Sequence, residues 1–219
     1  MPEFPKLSIC IATYNRASFI SETLDSILNQ ITDEVEIVIV DGASTDNTSD
    51  IVRFYEGKYQ QIKYFQLSEK GGVDQDYAKA VSLSTGEMCW LFTDDDTLKE
   101  NAIDYVLQLL KIDYSLIIIN SEIKNVDLTR SISERRMLIY ENKMFHENET
   151  DDLFQCIIPY LSFIGCVIIK RELWMERERT KYFGTEFIHV GIIFQKEIPG
   201  KSLVVANPLI NIRMDHAQW

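Results

Sequence analysis

A chain of 219 residues with a formal charge of −12, 46% apolar and 26% charged residues is long enough to bury one hydrophobic core and too apolar to be disordered. The acidic balance argues against a surface that neutralises many phosphates, so no nucleic-acid partner is expected. A small anionic ligand would need a metal ion or a few aimed donors inside a cleft, and the longest apolar runs, such as residues 116–119 and 167–169, fall far short of the ~20 residues of a membrane-spanning helix.

Residues 7–12 form an apolar run of strand length, followed by the polar turn Thr13, Tyr14, Asn15, Arg16 and then by Ile20, Leu24, Ile27, Leu28 and Ile31 at helical spacing. A β-branched run at 35–40 stops at Asp41 and Gly42, which predicts a second strand and a parallel βαβ unit. The alternation continues with a helix over 50–55, a strand over 62–67, a helix over 74–83, a strand over 88–92, a helix over 102–110 and a strand over 116–119. Such alternation predicts an α/β fold, with a mostly parallel sheet covered by helices on both faces, in a single domain over 1–219.

Open sheets of this kind bind ligands beyond the carboxyl ends of their strands, and three of those ends are polar here: Thr13 to Arg16, Asp41 to Ser44, and Thr93 to Asp96. No G-x-G-x-x-G follows the first strand, which excludes a dinucleotide-binding turn. In Trp90-Leu91-Phe92-Thr93-Asp94-Asp95-Asp96 an apolar strand runs straight into three carboxylates. Adjacent carboxylates raise one another's pKa, and a hard divalent cation removes that cost. The alternative is an acidic cap for a helix beginning near Leu98. The other two polar strand ends favour the metal, and an EF-hand is excluded because Lys99 stands where that loop turns sharply. Cys10, Cys89, Cys156 and Cys166 lie in apolar stretches without C-x-x-C spacing. They read as buried free thiols and, with no secretory leader at the start, point to the cytoplasm.

Residues 8–16 (SICIATYNR), 38–48 (VIVDGASTDNT) and the block from Thr85-Gly86-Glu87 to Asp94-Asp95-Asp96 resemble, in that order, the motifs of the family 2 glycosyltransferases with the GT-A fold. The resemblance covers roughly residues 7–110 and thins afterwards. Residues 71–77 and 164–174 are most similar to the abequosyltransferase-type enzymes of O-antigen assembly. The resemblance implies a nucleotide-diphosphate-sugar donor, Mg2+ or Mn2+, and a hydroxyl of a glycan or lipid-linked saccharide as acceptor, in bacterial cell-surface polysaccharide synthesis. It also implies a nucleotide-sugar-binding half (1–110), an acceptor-side half (111–219) and peripheral association with the inner face of the cell membrane.

By position, the donor-binding set implied by the resemblance is Thr13, Tyr14, Arg16, Asp41, Asp74 and Asp94. Tyr14 would stack on the base, Thr13 would offer backbone contacts, and Asp41 would accept a hydrogen bond from base or ribose. Asp94 would approach ribose or metal, and Asp95 and Asp96 are the implied metal ligands. Two registers stay open, a D-x-D pair of Asp94 and Asp96 or a metal aspartate at Asp95. Simpler readings stand beside these: Tyr14 at a sheet edge, Asp41 as a turn residue, and Ser44, Thr45 and Asp46 capping the next helix. The chain departs from the family's N-x-G-x-x-x-A-R-N pattern, where Lys70, Gly72, Tyr77 and Ala78 stand; either Asp74 or Gln75 would replace the missing contacts, or the two simply mark an exposed helix start.

Similarity to inverting enzymes calls for a carboxylate base late in the chain. Glu186, among apolar neighbours whose partial burial would raise its pKa, is the candidate, against the alternative of a helix-start carboxylate after Gly184. His189 and His216 are weaker candidates, and His216 or Arg213 would lie near metal or phosphates. Two other classes stay open: an inactive nucleotide-sugar-binding module, and a nucleotidyltransferase, for which the Gly-rich basic loop is missing.

Overall fold

The computed structural model describes residues 5–214. Along the chain the strands are β1 (Leu7–Thr13), β2 (Val35–Asp41), β3 (Ile62–Gln66), β4 (Met88–Phe92), β5 (Thr97–Leu98), β6 (Leu116–Lys124), β7 (Ser131–Ser133), β8 (Lys143–His146), β9 (Val167–Lys170) and β10 (Lys201–Arg213). The helices are α1 (Ile20–Leu28), α2 (Thr48–Glu56), α3 (Val73–Leu83), α4 (Ala102–Leu109), α5 (Thr150–Ile157), α6 (Arg171–Glu176) and α7 (Ile188–Ile193).

The strands form one sheet in the order β3-β2-β1-β4-β9-β6-β10-β5, with β7 added to β6 and β8 to β10. The first four are parallel neighbours, Thr13 standing beside Asp41 and Ile11 beside Phe92. Their carboxyl ends therefore open on the same side. β9 is antiparallel to both β4 and β6, which restores the direction of β4 in β6 and, through a parallel pairing, in β10. Every residue of β1, β2 and β4 is buried, as apolar strands covered on both faces require.

Side-chain alternation divides the core in two. Leu7, Ile9 and Ile11 face α1, α2 and α4 through Leu24, Ile27, Val52, Ile103 and Val106. Cys10, Ala12, Val38 and Val40 face the opposite layer, where Tyr77 and Val81 of α3 meet Leu153, Trp174, Ile188 and Ile192. The mostly parallel α/β architecture agrees with the expectation from the sequence.

The five expected strands are present, but the third stops at Gln66 and the strand begun at Leu116 runs on to Lys124. The longest strand, β10, was not expected. It carries Pro208, a residue that lacks the ladder N–H and argues against an interior strand; its register shifts between Val205 and Ile210, where the proline is accommodated. The acidic run does not cap a helix beginning near Leu98, because Thr97 and Leu98 form β5 and α4 starts at Ala102. All four cysteines are free thiols. Among the described residues, no helix is long and apolar enough to cross a membrane.

Candidate functional site

The ends of β1 and β2 are tied together by short polar bonds. Gly42 N–H donates to the Thr13 carbonyl at 2.9 Å, Asn15 N–H to Ser44 Oγ at 2.9 Å, and Arg16 N–H to Thr48 Oγ1 at 2.8 Å. Asn15 and Ala43 hold positive φ angles of 54° and 67°, so both chains turn sharply back over the sheet edge. Of the expected caps, Asp46 accepts from Thr48 N–H at the start of α2 and from Ala17 N–H, whereas Ser44 and Thr45 join the Asn15 turn.

Asp41 is fully buried. Its carboxylate accepts from the Tyr64 hydroxyl at 2.6 Å and from Ser44 N–H at 2.7 Å. Burial and that carboxylate push the Tyr64 phenol far above its ordinary pKa, so it stays a donor.

The β4 end delivers the acidic run. Asp94 is buried with Oδ1 at 3.2 Å from Arg16 Nε, and its Oδ2 has no hydrogen-bond partner among the described residues. Asp96 is buried and committed to the fold, accepting from the Thr93 hydroxyl at 2.6 Å and from Arg213 N–H at 2.8 Å. Burial, and next the charge of Asp95, pushes Asp94 and Asp96 above the usual carboxylate range. The Asp95 side chain retains 14% exposure against 1% for Asp94, so it is the more accessible of the two. Arg213, at the end of β10, clamps the loop: Nε donates to the Asp95 carbonyl at 2.5 Å, and the guanidinium also reaches the Val126 carbonyl and Glu22.

Two neighbouring cavities open beside these loops. The first, about 190 Å³, is lined by Thr13, Tyr14, Lys70, Asp74, Asp76 and Glu186, among others. The second, about 160 Å³, is lined by Thr93, Asp95, Asp96, Glu186, His189 and Arg213, among others. Val73, Asp74 and Glu186 belong to both walls. Lys70 Nζ lies 3.8 Å from the centroid of the Tyr14 ring. A base stacking on that face would displace a contact worth about 0.5–1 kcal/mol.

The divide between the cavities is built by α3 and a loop from the other half of the chain. Asp74 accepts from Glu186 N–H at 2.8 Å and from Ile188 N–H at 3.1 Å, fixing the start of α7 against α3. With φ of 82° at Gly184 and 64° at Glu186, the loop turns back on itself at the cavity edge. His189 is buried with Nε2 at 2.6 Å from the Leu161 carbonyl, which can only accept and so assigns the ring proton to Nε2; burial depresses its pKa to about 4, leaving it neutral.

Measured against the residues expected from the sequence, the geometry is selective. Thr13, Tyr14, Asp74, Asp95, Asp96 and Glu186 stand on cavity walls, whereas Arg16, Asp41 and Asp94 lie behind them. Asp74, expected to contact the donor, lines both cavities and holds the N–H groups of Glu186 and Ile188 with its two oxygens. Asp96, expected as a metal ligand, accepts with one oxygen from Thr93 in its own loop and with the other from Arg213 N–H at the end of β10. Glu186 is exposed, not partly buried, because the turn that carries it projects beyond the α7 core. His216 and Asp215 lie outside the described residues. Asp76, overlooked in the sequence, is buried on the first cavity wall, and Lys70, noted there only as a departure from the family pattern, stands on the same wall. A D-x-D spacing at Asp74–Asp76 was the available signal.

A divalent cation was expected here. Among the described residues no cluster of three or more His, Cys, Asp or Glu side chains could hold a metal ion. The donor set nonetheless fits Mg2+ or Mn2+ shared with phosphates, which needs only one or two carboxylates: Asp95 is accessible, and Asp94 keeps an unpartnered buried oxygen beside it.

The Glycosyl transferase family 2 model matches residues 8–174. The chain is 29% identical to the abequosyltransferase RfbV of Salmonella typhimurium, over 96% of this chain and 67% of that protein. It is 28% identical to an uncharacterized glycosyltransferase of Mycoplasma pneumoniae, over 80% of this chain and 58% of the other. Similar solved folds include S. aureus TarS in complex with UDP-GlcNAc, with a TM-score of 0.72 at 20% identity, covering 97% of this chain and 60% of that one. The mannosyltransferase PcManGT of Pyrobaculum calidifontis, in complex with GDP-Man and Mn2+, gives 0.64 at 16% identity, covering 100% and 59%. The chain thus spans about two thirds or less of the length of these proteins.

Proposed function

The chain belongs to glycosyl transferase family 2, and from that membership we propose that it moves a sugar from a nucleotide-diphosphate sugar to a hydroxyl of a glycan or lipid-linked saccharide, with inversion at the anomeric carbon. The reading rests above all on the acidic loop after β4, where Asp95 lines the second cavity and Asp94 keeps one oxygen without a partner among the described residues, while the neighbouring first cavity carries Tyr14. Similarity to an abequosyltransferase of Salmonella typhimurium and to a Bacillus subtilis glycosyltransferase named for teichuronic acid biosynthesis supports bacterial polysaccharide synthesis as the setting. The acceptor class suggests work at the cytoplasmic face of a membrane.

In this assignment the nucleoside occupies the first cavity against the Tyr14 ring and the acceptor enters the second. Residues 1–110 supply most of the donor wall; the loop at 184–188 closes it from the acceptor side. Asp95, with Asp94, would hold Mg2+ or Mn2+, which when bound offsets the charge of the diphosphate leaving group. Arg16 keeps Asp94 oriented through its Nε bond, and Arg213 holds the acidic loop at its carbonyls and N–H groups. Glu186, on the divide, takes the proton of the acceptor hydroxyl as its oxygen bonds to the anomeric carbon and the bond from that carbon to the diphosphate oxygen breaks. A single displacement with the base opposite the leaving group inverts the centre.

Calorimetry with nucleoside diphosphates, with and without Mn2+, tests the assignment. Binding is expected with Mn2+ and lost with EDTA. Binding indifferent to EDTA and to Asp95→Ala removes the metal from the reading, and binding without turnover on any saccharide acceptor leaves a nucleotide-sugar-binding module instead.

A further inference from the structure

We propose that Asp76 reads the nucleobase of the donor, its unpartnered Oδ1 accepting a ring or exocyclic N–H of a base lying against Tyr14; the proposal rests on the donor assignment above. Asp76 is only 4% exposed and stands on the first cavity wall. Its Oδ1 is buried without a hydrogen-bond partner among the described residues. A buried carboxylate oxygen left without a donor is costly, and native proteins leave few such atoms. A ligand N–H arriving in the cavity supplies the missing bond.

The competing carboxylates on this side are already engaged. Asp41 is bonded to Tyr64 and Ser44 behind the wall, and Asp74 is bonded to the backbone of Glu186 and Ile188. Gly42 makes room for the arrangement: a Cβ there would fall 2.7 Å from Asp76 Oδ2, so any larger residue would push the carboxylate out of place. Burial, then the charge of Asp41, raises Asp76 to about pH 6, with Lys70 pulling the other way; a donor at Oδ1 would relieve both costs. The aromatic face of Tyr14 and the acceptor of Asp76 together suit a flat heterocycle with an N–H edge, and neither feature suits a bare phosphate.

The test is calorimetric titration of wild type, Asp76→Asn and Asp76→Ala with UDP, CDP, GDP and ADP in Mn2+, using inorganic pyrophosphate with Mn2+ as the control that lacks a base. Wild type should prefer one base. Asp76→Asn, which turns part of the acceptor into a donor, should weaken the preferred diphosphate by about tenfold or more and change the rank order of the four. Pyrophosphate affinity should stay within about twofold, since the base contact is not made. Melting temperatures of both variants should equal or exceed wild type, because an unpaired buried carboxylate is removed. An unchanged rank order, or equal losses for pyrophosphate and nucleotides, overturns the proposal while leaving the donor assignment standing. If wild type binds none of the four, the donor assignment falls, and this proposal with it.

Discussion

The loop after β4 and the first turn of α3 each carry two buried aspartates, and in each pair one carboxylate is satisfied by the chain while the other is left short. Asp96 is held by Thr93 and Arg213, and Asp74 by the N–H groups of Glu186 and Ile188; Asp94 and Asp76 each keep an oxygen without a partner among the described residues. The satisfied members shape loops. The unsatisfied ones differ in what surrounds them. Asp94 sits beside another carboxylate, Asp95, an environment that a cation relieves, whereas Asp76 sits in a cavity with the Tyr14 ring and Lys70, an environment suited to a flat, uncharged donor. Counting acidic residues would treat the two regions alike; following each oxygen to its partner separates them.

The largest effect expected is at the accessible member of the acidic loop. Asp95→Asn keeps the shape, removes the charge, and should lower Mn2+-dependent turnover by about 10³-fold with little change in melting temperature. Turnover within a few-fold of wild type would make the β4 loop a structural element like the Asp74 latch and erase the contrast.

Glu186 should come next. Glu186→Gln retains the loop bond, which runs through the backbone N–H to Asp74, so donor affinity should hold while turnover falls by about 10²-fold or more. If turnover persists with a verified acceptor, the base lies elsewhere.

The latch itself gives a stability effect. Asp74→Ala leaves two N–H groups at the start of α7 without their charged acceptor and should cost about 3 kcal/mol in urea unfolding, while Asp76→Ala, two residues on, should cost nothing or stabilise. Equal destabilisation at both positions would show that Asp76 is satisfied in solution and break the pairing drawn above.

The smallest effect is a pH dependence. Folded Asp76 holds its proton up to about pH 6, above the ordinary carboxylate range of the unfolded chain, so folding takes up a proton between roughly pH 4 and 6. Stability should therefore decline as pH rises through that window, by at most about 3 kcal/mol, and then level off. His189, buried neutral with its pKa lowered to about 4, acts in the opposite sense, losing stability as pH falls below about 6.5. The difference between wild type and Asp76→Asn isolates the first contribution; a flat difference profile would mean that Asp76 has no raised pKa.

What the sequence determined by itself was local. The β-branched run ending at Asp41, the apolar run ending at Asp94 and the helical spacing after Ile20 made the parallel half of the sheet and its polar carboxyl ends legible, because strand and helix periodicity is written over a few residues. The family motifs, which cover the same region, pointed to the same three strand ends. Only the tertiary structure decided which carboxylates are satisfied. The partner of Asp96 lies 117 residues away at Arg213, and those of Asp74 lie 112 and 114 residues away at Glu186 and Ile188. Neither β10, disguised by Pro208, nor the exposed turn at Glu186 could be inferred from local pattern. A hydrogen bond reaches about 3 Å in space whatever the separation along the chain, so the assignment of each oxygen had to wait until the fold brought the distant donors together.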